Sequence, residues 1–570
     1  MFNGLKARRQ LAVYVALGLS TGGGLLFSAP SAYAAEHEYT QESGTISGLE
    51  GTDKTHSMND NKITLGKEGG PTDNPQNTYG AISAGGKKDT AEDVTGNTLI
   101  IHGLRSANAG GYSFIYGGVS GSGAVTGNKV IFNNGYSADA VIGGHSTSLT
   151  KSVSNNTVEV KAGRIEEDII GGWSDKAAST GAVSGNKVVI LGGELGSYGA
   201  GIIYGARVTG NGSVTGNSVE FSNATSKKAV YGAAGDDAAS TAAIKENHVT
   251  INSGTLSSDV FGGYTTGKGA VTGNSVTIKG GTLKDEAGGG VVKNAANSSD
   301  ITGNTLTISG GTLSKGNTNV YGAYTAGNGN VSGNTVAVSG GIIGTSAGGN
   351  IYGGYSNGSG TVSGNIVTIS GGKLGGQAVF TTSGKIYGGY SGGTGKTINN
   401  VVNLGTAEGV YTAGTGMKRV EVYGGNRASD VTGNALHVYA KAVEVDKIRN
   451  FESYHFHLTA PIKAGNTMLT LGSGNLGSGA DWNKLNLDLS GWAVDTTKYG
   501  KIGTVTLMHS NSASDIVFNN YAAKTGSSGD FEYNITATPS VPFPTRTLTT
   551  DVTAEVNRFQ NADATADNVT

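Results

Sequence analysis

VTGNSVTIKGGTL (271–283), ITGNTLTISGGTL (301–313) and VSGNIVTISGGKL (362–374) are three copies of one sentence, and their reading decides the fold. After Gly-Asn the residues alternate, as in Val276-Thr277-Ile278, a β-branched run of period two that reads as a half-buried strand. Gly-Gly then breaks it. The tetrapeptide [VI]-[TS]-G-N occurs nine times, ending at Asn97, Asn128, Asn186, Asn217, Asn274, Asn304, Asn334, Asn365 and Asn434. Degenerate copies end at Asn156, Asn247 and Asn400, so successive Asn residues lie between 27 (Asn247 to Asn274) and 35 (Asn365 to Asn400) apart. That period, near 30, marks a repeat architecture.

Each unit also holds a short apolar piece ending in aromatic-Gly-[GA], at Tyr116, Tyr204, Tyr231, Phe261, Tyr321, Tyr352, Tyr387 and Tyr423. A Gly-rich bend such as SGSGA (120–124) then returns the chain to the next tetrapeptide. Gly accepts positive φ, and Asn is the next best tolerated there. Short strands bent at Gly, with no helical periodicity between them, bury an apolar face by coiling and pair with their equivalents one repeat later. A propeller blade needs roughly 40 to 50 residues and four strands, and a βαβ array needs 10 to 15 residues of helical pattern; neither fits. The expectation is an all-β, right-handed parallel β-helix, a β-solenoid of about twelve coils with a C-terminal β cap, in which repeated Asn and Tyr form axial ladders.

Composition agrees. Of 570 residues 98 are Gly, 7 Pro and none Cys, and charged residues are 14% against the roughly 25% of ordinary globular proteins. The absence of a Gly-X-Y period excludes collagen. Hydrophobic residues at 36% and a net charge of −2 argue against disorder and remove the electrostatic case for nucleic acid. Without Cys there is no disulfide frame, thiolate nucleophile or Cys-ligated metal. Lys6, Arg8 and Arg9, the apolar run 11–19 and Ala32-Tyr33-Ala34 form a secretory signal. The domain reading is a signal peptide at 1–34, an N-terminal cap or first coils at 35–93, the repeat solenoid at 94–440, a β-rich cap at 441–539 and a linker at 540–570. In the last, Val552, Val556 and Phe559 are compatible with a short amphipathic helix.

Motifs that look chemical have bland readings. Gly121-x-Gly123-x-x-x-Gly127 recurs at the repeat period and is followed by strands, whereas phosphate binding uses a helix N-terminus. GGTGKT (392–397) lacks the upstream Gly of a phosphate loop, with Tyr390 in that place. His455 and His457 would share one face of a strand, but no third metal ligand is identifiable. Asp236-Asp237 and Glu166-Glu167-Asp168 read as solvated loops rather than a carboxylate pair across a glycosidic bond. No catalytic, cofactor-binding or metal residue is assigned, and no cofactor is expected. The irregular stretches 284–300 and 344–350 are where binding residues are expected, since loops vary without disturbing a stack.

The signal, the [VI]-[TS]-G-N…[IV]-S-G-G-T-L…Y-G-G-Y-S repeats and NFESYHFHL (450–458) with MLTL (468–471) together resemble the passenger of a bacterial autotransporter, a type V secretion protein of the adhesin/haemagglutinin-like group. The resemblance covers about 94–471. It implies a β-helix carried across the outer membrane through a β-barrel translocator, downstream or separate, and displayed at the cell surface or released. It also implies adhesion to host or bacterial surface glycans or proteins, with self-association as a further outcome. The alternating ten-residue strands of a barrel do not occur before Thr570. The alternative is an exported enzyme on the same fold, a polysaccharide lyase, glycosidase or protease.

Overall fold

The computed structural model describes 36–39, 45–47 and most of 59–558. Within that last span it leaves out 66–75, 80–81, 87–88, 107–113, 197–200, 316–317, 345–347, 376–383, 413, 474–475, 478–479, 494–498, 512–515, 529 and 543–545. The expected signal peptide lies outside the described residues.

The alternating runs are strands as expected: Ser275–Ile278 is flanked in parallel by His248–Ile251 one repeat earlier and Thr305–Ile308 one repeat later. Val276 and Ile278 point inward and are fully buried, while Thr277 faces out. The same stacking holds turn after turn, giving a β-solenoid of about twelve turns. Each turn has three faces. The first carries the alternating strand and a short continuation such as Thr282–Leu283. The second is a 13-stranded sheet, most of whose strands have six or seven residues, as in Asn350–Ser356, which contains the Tyr-Gly-Gly element. The third, invisible to the eye reading for strands, is the [VI]-[TS] pair itself: Val271–Thr272 and its equivalents form an 11-stranded sheet of two-residue strands. Two residues are too few to show a period.

The tetrapeptide closes the corner. Its Gly takes a left-handed φ of 64 to 70° at Gly96, Gly127, Gly185, Gly216, Gly273, Gly303, Gly333, Gly364 and Gly433. Its Asn turns inward to full burial and accepts at Oδ1 from the backbone N–H and the side-chain amide of the Asn one turn before. Asn274 donates to Asn304 at 3.0 and 3.0 Å, and Asn304 to Asn334 at 2.9 and 3.0 Å. Nδ2 of Asn304 also donates back to the Val271 carbonyl at 2.9 Å. A buried amide would be costly without partners; the ladder supplies them along the axis. It runs from Asn61 to Asn434. Asn61 is a copy the sequence reading missed: Asn59-Asp60-Asn61 lacks both the β-branched residue and the Gly, yet Asp60 takes a φ of 59° and Lys62–Leu65 follows as the strand.

Two expectations change toward the C-terminus. The sequence period ends after Asn434, but parallel rungs continue through Ser453–His457 and Leu485–Asp488 in register with Ala435–Val438. The solenoid therefore outruns the expected boundary at 440. Beyond it, Gly500–Ser510 pairs antiparallel with Arg546–Arg558, which also pairs antiparallel with Phe531–Pro542. The expected helix from 551 is instead this last strand. Val552, Ala554 and Val556 alternate into the core at 0% exposure, so a period of two, carried by β-branched residues, prevails over the i, i+4 spacing. Trp482 packs edge-on to Phe518 and Tyr521.

Candidate functional site

In Asn350–Ser356, Ile351 enters the solenoid core while Tyr352 and Tyr355 project from the outer side of the sheet. Because strands stack in exact register, with Tyr352 opposite Tyr387 and Tyr355 opposite Tyr390, these positions make two columns parallel to the axis. In the first column Tyr321, Tyr352, Tyr387 and Tyr423 stack at 5.4, 5.4 and 4.8 Å between ring centroids, with planes within 16°. In the second, Tyr324, Tyr355 and Tyr390 follow at 5.3 and 4.7 Å. Across columns the rings meet edge to face, as Tyr352 does with Tyr355 at 83°. Offset stacks and edge contacts are the favoured arrangements of aromatic quadrupoles.

In the first column Tyr321, Tyr352 and Tyr387 are buried and Tyr423 is half-buried, and burial raises the phenols of the first three far above their ordinary value. The second column is half-buried, leaving a strip of phenol edges facing solvent. Its ends are polar. Tyr321 donates to Glu286 at 3.3 Å, and Tyr423 to Glu421 at 2.7 Å. Burial acts to raise the Glu421 carboxyl, but its hydrogen bonds from Lys447 and Tyr423 more than offset that and leave it at about 2. Burial and the Glu421 contact push Tyr423 up to about 12.

Earlier in the chain the same columns hold other chemistry. His145, Trp173 and Arg207 occupy successive second-column positions. Arg207 bridges Asp168 at 3.0 Å and Asp236 at 2.6 Å while lying over the Trp173 ring at 5.0 Å. Burial raises the Asp236 carboxyl despite that partner. The acidic runs do lie in loops, and Glu167 is exposed, but Asp168 and Asp236 share one guanidinium and Glu166 is buried against Arg164. Lys228, also buried, donates to the Glu166 carbonyl, and its ammonium is lowered to about 8 by burial. Sequence reading missed His145, Trp173 and Arg207 although the signal was present, each standing three residues after the first-column position of its strand, where Tyr355 stands in YGGY.

The remaining singled-out residues are placed as follows. The stretch 284–300 is not one continuous loop: within it Ala287–Val292 is a buried strand of the Tyr-Gly sheet whose Gly288 interrupts the aromatic column. In 344–350, 345–347 lie outside the described residues. Gly121 and Gly123 sit in the bend between two strands, and the GGTGKT loop offers its Gly395 carbonyl to Arg427 at 2.9 Å. His455 and His457 meet a third imidazole, His437, from the preceding turn. His437 stacks on His455 at 4.4 Å and its Nδ1 lies 2.9 Å from His457 Nε2. Among the described residues no group of three or more His, Cys, Asp or Glu is placed to hold a metal ion.

These features define a β-solenoid repeat protein with an aromatic outer face. Compared with known proteins, the chain matches no family model, no curated protein and no solved structure.

Proposed function

We propose that this chain is the passenger region of an autotransporter-type surface protein, exported through an outer-membrane β-barrel and acting as an adhesin or structural surface protein. The observation that carries this reading is the tyrosine lattice. A sheet face outside the core would ordinarily be polar, yet from Tyr324 to Tyr390 it presents half-buried phenols on three successive turns, and contiguous aromatic surface open to solvent marks a contact site. Successive rungs repeat the same chemistry at the strand spacing of about 4.8 Å, so individually weak contacts to glycans or proteins on another surface add through multiplicity. The leader-like N-terminus, the absence of Cys and the low charge support export of an unfolded chain.

The test compares residues 35–570 with a triple variant, Tyr324→Ala, Tyr355→Ala and Tyr390→Ala, on glycan arrays and cell monolayers. Ala is a fair replacement because Ala234 stands in the same column. Binding by the parent that falls at least about tenfold in the variant, with unfolding still cooperative, supports the proposal. Equal binding by both sinks it.

A further inference from the structure

We infer that Tyr355 and Tyr390 form a site for oxidative cross-linking, in which a one-electron oxidant such as a haem peroxidase with hydrogen peroxide joins the two phenols into a dityrosine spanning adjacent turns. The inference stands on ring geometry and does not rest on what the surface binds. The two residues are register partners on neighbouring strands, so the backbone holds them opposite one another. Their rings are 4.7 Å apart between centroids and 17° from parallel, and the side-chain torsions supply the remaining approach for a bond between ortho carbons.

Coupling needs more than proximity, because a phenol that loses an electron must also shed its proton. Both rings are half-buried, with an edge in water to receive it. The other close pairs fail this requirement in one member. Tyr231 with Tyr264 at 4.6 Å includes a ring only 6% exposed, and Tyr387 with Tyr423 at 4.8 Å one only 7% exposed. Burial raises the phenols of Tyr231, Tyr387 and Tyr355 alike, and what sets Tyr355 apart is that its ring is only half-buried. Tyr324 is half-buried too, but it is 5.3 Å from Tyr355 and tilted by 37°, and its hydroxyl accepts from Asn357 at 3.0 Å.

The balance is simple. Each phenol gives one electron to the oxidant and its hydroxyl proton to water, and the two phenoxyl radicals couple carbon to carbon. The hydrogen on each coupled carbon then moves to oxygen and restores the rings. The pair has lost two hydrogen atoms, and one hydrogen peroxide has become two waters. The product ties one turn covalently to the next.

The chain, at high dilution and neutral pH, is treated with a haem peroxidase and hydrogen peroxide, digested and mapped by mass spectrometry. The expected result is a leading cross-link between the peptides bearing Tyr355 and Tyr390, short of the sum of their masses by two hydrogens, with blue dityrosine fluorescence in monomeric chains. Tyr390→Phe and, separately, Tyr355→Phe keep a stacking ring and lose that link. The inference is overturned if another pair leads the map, if links form only between chains as concentration rises, or if the link survives either variant.

Discussion

The first Gly of each Tyr-Gly-Gly element is packed backbone to backbone, and the second is packed against a side chain. A Cβ on Gly353 would lie 2.4 Å from the Gly388 carbonyl oxygen on the next turn, a contact that backbone cannot relieve locally. On Gly354 the nearest atom is the Asn365 amide at 2.6 Å, and the equivalent place one turn earlier already holds Ala323 with the ladder intact. Gly353→Ala is therefore expected to cost about 3 kcal/mol through overpacking, and Gly354→Ala under about 1 kcal/mol, read from urea unfolding of the two variants. This is why the motif reads Gly-[GA] and never Ala-Gly. The Gly excess was legible as a consequence of coiling, but its placement at corners alone was not: glycines such as Gly353 lie inside strands, where spacing to the next turn, a quantity with no one-dimensional signature, decides. The corner glycines act through φ. Gly333 has φ of 64°, and a methyl group placed there would meet nothing within 4 Å, so Gly333→Ala should lose about 1 kcal/mol from backbone conformation alone. Glu246 occupies the same corner with φ of 53°, and Glu246→Gly should return up to about 1 kcal/mol, seen as a higher urea midpoint at unchanged slope.

Among the elements, the alternating strands and aromatic pieces were readable because each is long enough to show its period, whereas the [VI]-[TS] strands are defined only by their stacked neighbours. The last rungs were hidden for a different reason: Ala435–Val438, Ser453–His457 and Leu485–Asp488 keep register while the intervening loops change length, so structure repeats where sequence does not. These rungs carry the His437, His455 and His457 cluster, faced by Tyr439, Asp488 and Lys524. Burial, followed by the neighbouring His455 and His457, lowers His437 to about 4 from an ordinary 6.5, and burial also lowers His455. The unfolded chain therefore takes up protons that the folded chain refuses. Stability from His437 is full above pH 6.5, is lost progressively between pH 6.5 and 4, and changes no further below. Asn403 holds the paired position on the preceding rung, so His437→Asn fits the column. Its urea midpoint should fall less than the parent's between pH 7 and 4.5; an equal fall in both chains would locate the acid sensitivity elsewhere.

Over the solenoid as a whole, each turn touches chiefly its neighbours, with Lys228 reaching two turns back to the Glu166 carbonyl as an exception, so stability is expected to be close to a sum of turn and interface contributions. The Asn ladder gives this a strict test. Asn304 and Asn334 are 30 residues apart and make equivalent bonds, Asn304 to Asn334 and Asn334 to Asn365. Deleting 305–334 joins Asn304 to Thr335 and lets Asn304 donate to Asn365 as Asn334 did, with Val291 meeting Tyr355 where it met Tyr324. The shortened chain should keep the parent's β-rich circular dichroism and a single cooperative thermal transition, because no corner, column or core position changes type. Deleting 305–319 instead removes the alternating strand while leaving all but the first residue of the Tyr-Gly strand that follows it, so Val320 and the residues after it reach the wrong face and the inward pattern is lost. That chain should lose the cooperative transition altogether. Equal tolerance of both deletions would mean that register along the axis, and with it the ladder, is not what holds the turns together.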